Sequence, residues 1–541
     1  KMPRKKASAS KRKAEIKAEP EEVPVKKEKD ETSTSDLVKE EIQEKVVIFT
    51  GSVPIDEECT LDPKQYHVYK DAGDGGLVYN AMLNQTNIGA NNNKYYIIQL
   101  LKHTNKSEFF LWSRWGRVGK IAGKSLDPIV TVNAGKTKFE KKFRDKTGNY
   151  FSMGLPFRKI KGKYDKVEID YGEEETKKTV KPSNKIKKVK AESTLHKSVQ
   201  DVINLLFDIT EWEESVKEMK FDIKKSPLGK LTKNQITAGY EALKEIETCL
   251  AEEKLDRPRL LEACGAFYTK IPHDFGMKTP SIIENTEQLK EKLDLLEALN
   301  EIQIAINLVE ETEDEDNTSP IDLNYKSLNC ELTPLGKTDK TYKVIEKYVK
   351  NTHASTHSGY TLCIQDVFAV SRESDCARFK KEIGSCTLLW HGSRLTNWCG
   401  ILKQGLRIAP PEAPTTGYMF GKGVYFADMV SKSANYCRAS ERQPIGFLLL
   451  SEVALGNCNE LYAGDYRANN LPKGKHSTKG MGQQAPNAKQ AVKLENGTLV
   501  PLGKPTNQPT KEAYLMYNEF IVYDVAQINP RFLVKVKFNM T

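Results

Sequence analysis

Three separate segments of this 541-residue chain carry side chains that could act together on a nucleotide. They are His391-Gly-Ser-Arg394, Gly421-Lys-Gly-Val-Tyr-Phe-Ala-Asp428 and Tyr517-Asn-Glu-Phe-Ile-Val-Tyr523. One imidazole, one phenol and one carboxylate therefore come from distant parts of the chain. This spacing is typical of a composite nucleotide site that folding assembles, and not of a local motif.

The residue types fit the chemistry of breaking a C–N glycosidic bond. The backbone of Gly392 can approach a ligand closely, and a backbone N–H and C=O together can clamp a carboxamide such as that of nicotinamide. The ring of Tyr425 can stack on a heteroaromatic face. Glu519 opens a β-branched and aromatic run that predicts a buried strand, so its carboxylate would be held rigidly. A fixed anion stabilises oxocarbenium character on a ribose.

Each of these residues also has a purely structural interpretation. Taken alone, His391 fits a hydrogen-bonded structural histidine, Tyr425 fits a core ring and Glu519 fits an ion-pair partner. Single residues rarely establish a function. The prediction of a nucleotide site therefore depends on the three segments occurring together.

The three segments resemble the His-Tyr-Glu signature of the poly(ADP-ribose) polymerase family. The likeness continues through four further blocks, which are Gly405-Leu-Arg-Ile-Ala-Pro-Pro-Glu-Ala-Pro414, Gly417-Tyr-Met-Phe-Gly421, Ser431-Lys-Ser-Ala-Asn-Tyr-Cys437 and Gly474-Lys-His-Ser-Thr-Lys-Gly480. Within the family, the chain is most similar to the DNA-dependent type that lacks zinc fingers. The resemblance implies an ADP-ribosyltransferase that uses NAD⁺ as its substrate and needs no metal.

The resemblance also implies roles for individual residues. Glu519, His391 and Tyr425 would be catalytic, with Glu519 orienting the nicotinamide ribose and polarising the acceptor hydroxyl. His391 would bind the adenine-side ribose. The implied NAD⁺-binding residues are His391, Gly392, Ser393, Asn397, Arg407, Tyr418, Tyr425, Lys432, Ser433 and Tyr436.

Within that set, the resemblance divides the nicotinamide end from the rest. Gly392 and Ser433 would hold the carboxamide, and Tyr425 and Tyr436 would lie on either side of the ring. Lys432 matches a residue near the acceptor. The residues that match the adenosine side are Ser393, Asn397 and Arg407.

Composition sets broader limits. The chain is too long for one hydrophobic core, so three or more domains are expected. Its formal net charge of +10 favours an acidic partner. The ten cysteines include no C-x-x-C pair, which argues against a zinc ribbon and for reduced thiols. No apolar run approaches the roughly 18 residues that a membrane helix needs, so we expect no membrane partner.

Residues 1–45 are predicted to form a disordered basic N-terminal region. They are poor in aromatic residues and rich in Lys and Glu, so they cannot bury enough apolar surface to offset the entropy of ordering. The basic runs Arg4-Lys-Lys6 and Lys11-Arg-Lys13 fit a nuclear-import signal and DNA tether, or alternatively a solvated tail. Because the sequence begins with Lys1 instead of Met, we expect the native start to lie upstream.

Residues 46–175 are predicted to form a DNA-binding domain. Lys94–Leu101 reads as a strand, and Phe109–Gly119 reads as a strand running into a turn. Trp115 and Arg117 could place a planar ring beside a guanidinium, which suits a nucleotide and its phosphate, although a structural Trp corner fits equally well. Trp115-Gly-Arg117 resembles the motif of the Trp-Gly-Arg domain. That resemblance implies a small mixed α/β fold that binds 5′-phosphorylated DNA breaks through Asn93, Trp115, Arg117 and Tyr164.

The remaining chain divides into three predicted parts. Residues 176–192 form a Lys-rich linker. Residues 193–318 carry apolar stripes at helical spacing, with capping boxes at Thr232-x-x-Gln235 and Ser281-x-x-Glu284. The resemblance makes this part an all-α helical regulatory domain and makes residues 319–541 an α+β ADP-ribosyltransferase domain. The predicted fold class is therefore a multidomain α+β protein.

The combined expectation is a nuclear enzyme that DNA strand breaks activate. It would build poly(ADP-ribose) on itself and on chromatin proteins, with histones as acceptors and an accessory histone-modification factor as a further partner. Two alternatives stay open, namely a mono-ADP-ribosyltransferase activated by DNA ends and a catalytically dormant scaffold that binds DNA ends. Within the resemblance, Glu519 favours chain elongation.

Overall fold

The computed structural model describes residues 53–71, 76–118, 120–151, 156–168, 192–221, 231–311, 318–415, 417–509 and 513–541. All of them belong to one compact unit, Thr50–Thr541. We call 53–168 the N-terminal sheet unit, 192–311 the helical unit and 318–541 the C-terminal unit. The predicted tail, 1–45, and nearly all of the predicted linker, 176–192, lie outside the described residues. The domain boundaries given above stay predictions.

The N-terminal sheet unit is built on one antiparallel sheet covered by a helix. Its strands are β1 (Tyr66–Val68), β2 (Asn80–Asn87), β3 (Asn92–His103), β4 (Phe109–Arg117), β5 (Lys120–Ile129) and β6 (Asp165–Val167). The order is β5-β4-β3-β2-β6, with β1 also paired to β3. Helix α1 (Val132–Thr147) buries Phe139 and Phe143 against the sheet. Both strands predicted from the sequence are confirmed.

The described residues of the helical unit form five helices. They are α2 (Lys197–Leu206), α3 (Ile209–Glu218), α4 (Lys233–Ala251), α5 (Arg257–Lys270) and α6 (Thr286–Glu311). The apolar stripe predicted along α6 is buried, because Leu289, Leu293 and Leu296 are at most 2% exposed. An amphipathic stripe of this kind is stable only when other helices cover it.

The two predicted capping boxes have different outcomes. Thr232 does cap α4, since its hydroxyl accepts the Gln235 N–H at 3.1 Å, but the Gln235 amide donates to Lys270 O at 2.6 Å instead of returning to the cap. The second box is wrong. The cap of α6 is Asn285, which lies four residues after Ser281. Its side chain accepts the Gln288 N–H at 2.9 Å. A strong Asx cap close to the apolar stripe competes successfully with the earlier serine.

The C-terminal unit is a mixed structure of sheets and short helices. Its helices are α7 (Pro320–Leu328), α8 (Lys340–Asn351), α9 (Glu373–Arg378), α10 (Trp398–Gln404) and α11 (Val430–Ala434). Short 3-10 turns occur at Lys381–Ile383, Leu395–Asn397, Asn435–Cys437, Ala488–Gln490 and Val525–Gln527. The strands are β7 (Glu331–Pro334), β8 (Tyr360–Ser371), β9 (Cys386–Gly392), β10 (Val424–Phe426), β11 (Ile445–Ala454), β12 (Cys458–Leu461), β13 (Ser477–Gly480), β14 (Gly482–Pro486), β15 (Val492–Lys493), β16 (Leu499–Val500), β17 (Pro505–Asn507), β18 (Leu515–Tyr517), β19 (Glu519–Val522) and β20 (Ile528–Met540).

These strands form three sheets. The largest has the order β15-β16-β9-β11-β20-β8-β7, a second has the order β10-β19-β13-β12, and a third has the order β17-β14-β18. Trp390 at the end of β9 and Ala427 just after β10 exchange two backbone hydrogen bonds of 2.9 Å, which joins the first two sheets. The multidomain α+β class is confirmed. One apolar core runs from the N-terminal sheet through the helices into the C-terminal sheets.

All ten cysteines fall within the described residues and are free thiols. No described helix is long and apolar enough to cross a membrane. Among the described residues, no group of three or more His, Cys, Asp or Glu side chains could hold a metal ion.

Candidate active site

The junction of the two larger sheets brings the three sequence segments into one cavity of about 820 Å³. His391 lies at the end of β9, Tyr425 in β10 and Glu519 at the start of β19. Strands β10 and β19 pair antiparallel, with Tyr425 opposite Ile521, so the phenol and the carboxylate stay close. The composite site predicted from the three segments is therefore assembled by strand pairing.

The tautomer of His391 follows from its hydrogen bond. Its Nδ1 lies 2.9 Å from the Tyr425 carbonyl oxygen, and a carbonyl can only accept, so Nδ1 carries the ring proton. Burial lowers the pKa of His391, which favours the neutral ring. Nε2 is therefore a hydrogen-bond acceptor, suited to a hydroxyl donor such as that of a ribose.

Backbone approaches backbone closely at the predicted carboxamide site. A Cβ atom at Gly392 would lie 2.0 Å from the Ser433 carbonyl oxygen, so only glycine fits there. Ser433 is 4% exposed, and its hydroxyl donates to Trp390 O at 2.9 Å. Its oxygen remains an acceptor for an amide N–H.

The two predicted ring-stacking tyrosines differ in how firmly they are held. The Tyr425 hydroxyl donates to Gly421 O at 2.7 Å and accepts from Phe420 N–H at 2.9 Å. These two hydrogen bonds fix the position of the phenol. Tyr436 is 45% exposed, and the Lys290 ammonium lies 5.2 Å from its ring centre. Both rings line the same cavity. A flat ligand would meet one rigid and one accessible aromatic face.

Glu519 is paired with a lysine. The Lys432 Nζ lies 3.0 Å from a Glu519 carboxylate oxygen and donates to Tyr517 O at 2.7 Å. Both side chains are largely covered, at 15% and 13% exposure. Burial lowers the pKa of Lys432. In such surroundings the ion pair is screened weakly, so each partner restrains the other.

The predicted adenosine side is partly occupied by the helical unit. Asn397 donates to Ser393 Oγ at 2.9 Å, whereas the Arg407 guanidinium forms an ion pair with Glu301 of α6. The Tyr418 hydroxyl donates to Glu297 of the same helix at 2.9 Å. Two of the side chains predicted to bind NAD⁺, Arg407 and Tyr418, are thus already engaged by carboxylates.

These carboxylates were missed by the sequence reasoning. Asp294, Glu297 and Glu301 all line the cavity, and they share one face of α6 because they are spaced by three and four residues. The leucine stripe dominates the sequence pattern of this helix, so the spacing of the three carboxylates is easily overlooked. Burial and the neighbouring Asp294 raise the pKa of Glu297 to about 7. The spacing itself was the available signal.

A second cavity of about 580 Å³ is also lined by Glu519. Glu519, Lys432 and Tyr436 line both cavities. Thr356 and His357, which no sequence pattern had singled out, line the second cavity and not the first. Glu519 therefore stands where two binding spaces meet, as a transfer reaction between two substrates requires.

Comparison with known proteins covers almost the whole described chain. Three family models match in order, namely the WGR domain over residues 79–156, the poly(ADP-ribose) polymerase regulatory domain over 193–325, and the poly(ADP-ribose) polymerase catalytic domain over 339–538. The chain belongs to the poly(ADP-ribose) polymerase family. It is an ADP-ribosyltransferase whose substrate is NAD⁺. The predicted family membership is confirmed.

Individual relatives are similar over most of this chain. Poly [ADP-ribose] polymerase 2 of Homo sapiens is 49% identical over 504 residues, which are 92% of this chain and 85% of that protein. Poly [ADP-ribose] polymerase 2-A of Oryza sativa subsp. japonica is 47% identical, covering 93% of this chain and 77% of its own. Poly [ADP-ribose] polymerase 2 of Arabidopsis thaliana is 46% identical over 88% of this chain and 75% of that protein. The type predicted from the sequence is confirmed.

The predicted DNA contacts of the WGR domain do not form one open surface in this polymerase. Asn93 is 1% exposed, and its amide donates to His273 O of the regulatory domain at 3.0 Å. Arg117 donates to Gly276 O at 2.8 Å and to Lys278 O at 2.6 Å in the same loop. Asn93 and Arg117 are therefore interdomain contacts here, because backbone carbonyls of the helical unit satisfy their donors.

The other two predicted DNA contacts lie together on the sheet. Trp115 stacks on Tyr96 with ring centres 5.5 Å apart and an interplanar angle of 8°, and Tyr164 meets Tyr96 edge-on at 6.3 Å. Two lysines flank this aromatic group, since the Lys146 and Lys94 ammonium groups lie 4.5 Å from the Tyr96 ring and 5.3 Å from the Tyr164 ring. Cations beside aromatic faces suit the phosphates and bases of a nucleic acid.

Proposed function

We propose that this chain is a poly(ADP-ribose) polymerase activated by DNA breaks, in which Glu519 carries the transfer step. The observation that carries the proposal is the position of Glu519 where the two cavities meet, beside Lys432 and within reach of both binding spaces. NAD⁺ would occupy the larger cavity, and the acceptor would enter through the smaller one.

The larger cavity suits the nicotinamide half of NAD⁺. Gly392 and Ser433 would hold the carboxamide, and the ring would lie between Tyr425 and Tyr436. The Nε2 lone pair of His391 would accept a hydrogen bond from the adenine-side ribose. The adenosine side would use Ser393, Asn397, Arg407 and Tyr418.

The transfer replaces one bond at the ribose anomeric carbon by another. The C–N bond to nicotinamide breaks, and nicotinamide leaves with the bonding electron pair. The oxygen of the acceptor hydroxyl forms the new C–O bond, and its proton passes to the Glu519 carboxylate. That carboxylate also stabilises the positive charge that develops on the ribose, an interaction stronger in the transition state than in the ground state.

The regulatory domain would restrain this reaction before DNA is bound. Arg407 and Tyr418 are engaged by Glu301 and Glu297 of α6, so these carboxylates compete with a nucleotide for the same donors. Movement of α6 away from the cavity would free them. A helical element whose local opening costs only a few kcal/mol can serve as such a two-state device.

DNA would act on the restraint through the WGR domain. The Arg117 guanidinium holds two carbonyls of the regulatory domain, but a 5′-phosphate is a stronger, charge-assisted partner for the same fork. Trp115 and Tyr164 would stack against the exposed end of the break. Binding of a 5′-phosphorylated end would therefore loosen the contact between the two domains.

The cellular setting follows from these partners. We infer a nuclear protein that modifies itself and chromatin proteins, including histones, in DNA repair, with an accessory histone-modification factor as a further partner. A mono-ADP-ribosyltransferase and a dormant DNA-end scaffold are both disfavoured by the presence of Glu519 together with His391 and Tyr425.

The deciding experiment measures incorporation of labelled NAD⁺ into protein-bound polymer, with no DNA, with a nicked duplex bearing a 5′-phosphate, and with the same duplex bearing a 5′-hydroxyl. We expect long polymers mainly with the phosphorylated nick. Single ADP-ribose units would favour the mono-transferring alternative. No consumption of NAD⁺ under any condition would favour the dormant scaffold.

A further inference from the structure

His357 lines the smaller cavity and does not line the larger one. It is half-buried and follows α8 in a short loop. Its Nδ1 lies 2.8 Å from the Ser431 hydroxyl oxygen. Ser431 belongs to α11, immediately before Lys432, and its side chain is fully buried.

The hydroxyl of Ser431 has a defined orientation. Its oxygen accepts the Ala354 backbone N–H at 2.8 Å, and that N–H is a donor in every protonation state. Among the described residues, the acceptor available for the hydroxyl proton of Ser431 is Nδ1 of His357. The hydroxyl therefore donates to Nδ1, and Nδ1 is the unprotonated ring nitrogen.

This hydrogen bond decides what His357 offers to the cavity. A neutral imidazole that accepts through Nδ1 carries its proton on Nε2. Burial, followed by the nearby His353 and Lys432, lowers the pKa of His357, which keeps the ring neutral. His357 thus supplies an N–H donor and holds no free lone pair with which to take a proton.

The other groups around His357 are consistent with a donor. His353 approaches its backbone oxygen at 3.1 Å, and the Tyr517 ring meets its ring edge-on at 5.5 Å. The charged side chains that line the same cavity are Lys290, Lys432, Arg438 and Glu519. Glu519 is the one carboxylate among these lining residues. It is therefore the base available here, whereas His357 can only donate.

We propose that Ser431 is a positioning residue that fixes His357 as a hydrogen-bond donor toward an oxygen atom of the incoming acceptor. The proposal rests on the proposed function, since it takes the smaller cavity to be the acceptor site. Ser431 touches neither substrate and acts through His357. It thereby separates two tasks, because Glu519 receives the acceptor proton and His357 orients the acceptor.

The test is a double-mutant cycle that measures a transfer fraction. This is the fraction of NAD⁺ cleavage events in which the ADP-ribose is transferred to protein or polymer and not to water. Ser431→Ala should lower this transfer fraction by about 3- to 10-fold, the effect of one misdirected hydrogen bond. His357→Gln keeps an N–H donor that cannot change tautomer, and it should retain much more transfer than His357→Ala. Ser431→Ala added to His357→Gln should cost less than about 2-fold further.

A structural role of Ser431 would give a different result. Ser431→Ala also removes the acceptor of the Ala354 N–H, and a loss caused by that would be the same with His or Gln at 357. Thr352→Val is the matched control, because Thr352 Oγ1 accepts from Val430 N–H at 3.1 Å at the start of the same helix without touching His357. It should lower thermal stability without lowering the transfer fraction.

Nitrogen-15 NMR of histidine-labelled protein gives a readout that needs no substrate. We expect the Nε2-protonated form for His357 in the parent chain and a mixture of tautomers in Ser431→Ala. Equal losses in both backgrounds, or His357→Gln as inactive as His357→Ala, would overturn the proposal. Absence of polymer from the parent chain would instead contradict the proposed function, so the two failures are distinguishable.

Discussion

Lys432 and Glu519 form an ion pair of 3.0 Å at the point where the two cavities meet, and the lysine also holds the backbone carbonyl of Tyr517. The carboxylate is therefore anchored from two sides, by its strand and by its counter-ion. Because α11 carries Lys432 between Ser431 and Ser433, one short helix contacts Trp390, Glu519 and His357 together.

Glu519→Gln should bind NAD⁺ with nearly unchanged affinity but lose polymer formation by about 10²-fold or more. The amide keeps the size of the side chain but lacks the charge that stabilises the developing oxocarbenium ion and the basicity that takes the acceptor proton. Polymer length on a gel and NAD⁺ affinity by calorimetry check the two parts. Glu495→Gln, on an exposed turn, is the control. Long polymers formed at the parent rate would refute this role of Glu519.

Lys432 gives a prediction on pH. Its pKa is lowered from 10.5 by burial, so the ion pair with Glu519 is lost at a lower pH than for an exposed lysine. Transfer should therefore decline on the alkaline side before ordinary lysines titrate. In Lys432→Arg the cation persists at every pH reached, because guanidinium is not deprotonated in proteins. The alkaline decline should then disappear, and a pH–rate profile of both proteins measures it. An unchanged decline in Lys432→Arg would assign it to another group.

Much of this site was predictable from the sequence, and the reason is chemical. Residue type and neighbouring residues identify His391, Tyr425 and Glu519, and both can be read from the sequence without knowledge of the fold. The Ser431–His357 contact was not predictable, because nothing in a sequence places two residues 74 positions apart at 2.8 Å. Helix α6 was predicted by its apolar stripe, which shows which face of the helix is buried. The stripe does not predict the partners of Glu297, which lies on another face.

Arg117 tests how the WGR domain receives a DNA end. Arg117→Ala should reduce stimulation by a 5′-phosphorylated nick by roughly 10- to 100-fold, the value of a charge-assisted fork on phosphate. The DNA-free rate should not fall, because the lost contacts to Gly276 and Lys278 hold the restraining domain. Lys120→Ala, an exposed cation on the same hairpin, is the control. The measurement is polymer formed with 5′-phosphate and 5′-hydroxyl nicks. Equal stimulation by the two ends in the parent protein would contradict this assignment.

Glu297 makes the docking of α6 depend on pH. Its pKa is raised from 4.5 to about 7, so its neutral form is favoured in the docked state, and the resulting stability is lost as pH rises through 7. Glu297→Gln stays neutral and can still accept from Tyr418. It should therefore keep its melting temperature as the pH rises from 4.5 to about 7, the window in which the parent chain loses this stability, and should show lower DNA-free activity. Glu291→Gln, exposed on the same helix, is the control. Parallel melting curves for parent and Glu297→Gln would contradict this role.

The last prediction concerns the path between the DNA-binding and catalytic ends. Asn93 holds the backbone of His273, and the His273 Nε2 lies 3.1 Å from the Lys292 ammonium on α6. That helix then presents Glu297 and Glu301 to the cavity, so a contiguous set of contacts joins the WGR domain to the proposed NAD⁺ site. A path of this kind transmits only if its middle element has two states that both ends bias.

Deleting residues 193–318, with the catalytic domain joined directly to the linker, should therefore give high activity without DNA, because the carboxylates that occupy Arg407 and Tyr418 are removed. Hydrogen exchange in α6 of the intact chain should accelerate when a nicked duplex is added, since loss of the Asn93 and Arg117 contacts weakens its support. The deletion combined with Glu519→Gln is the control for activity at the assigned site. A folded deletion variant that still requires DNA, or exchange in α6 that DNA leaves unchanged, would make the helical domain a structural support and rule out the relay.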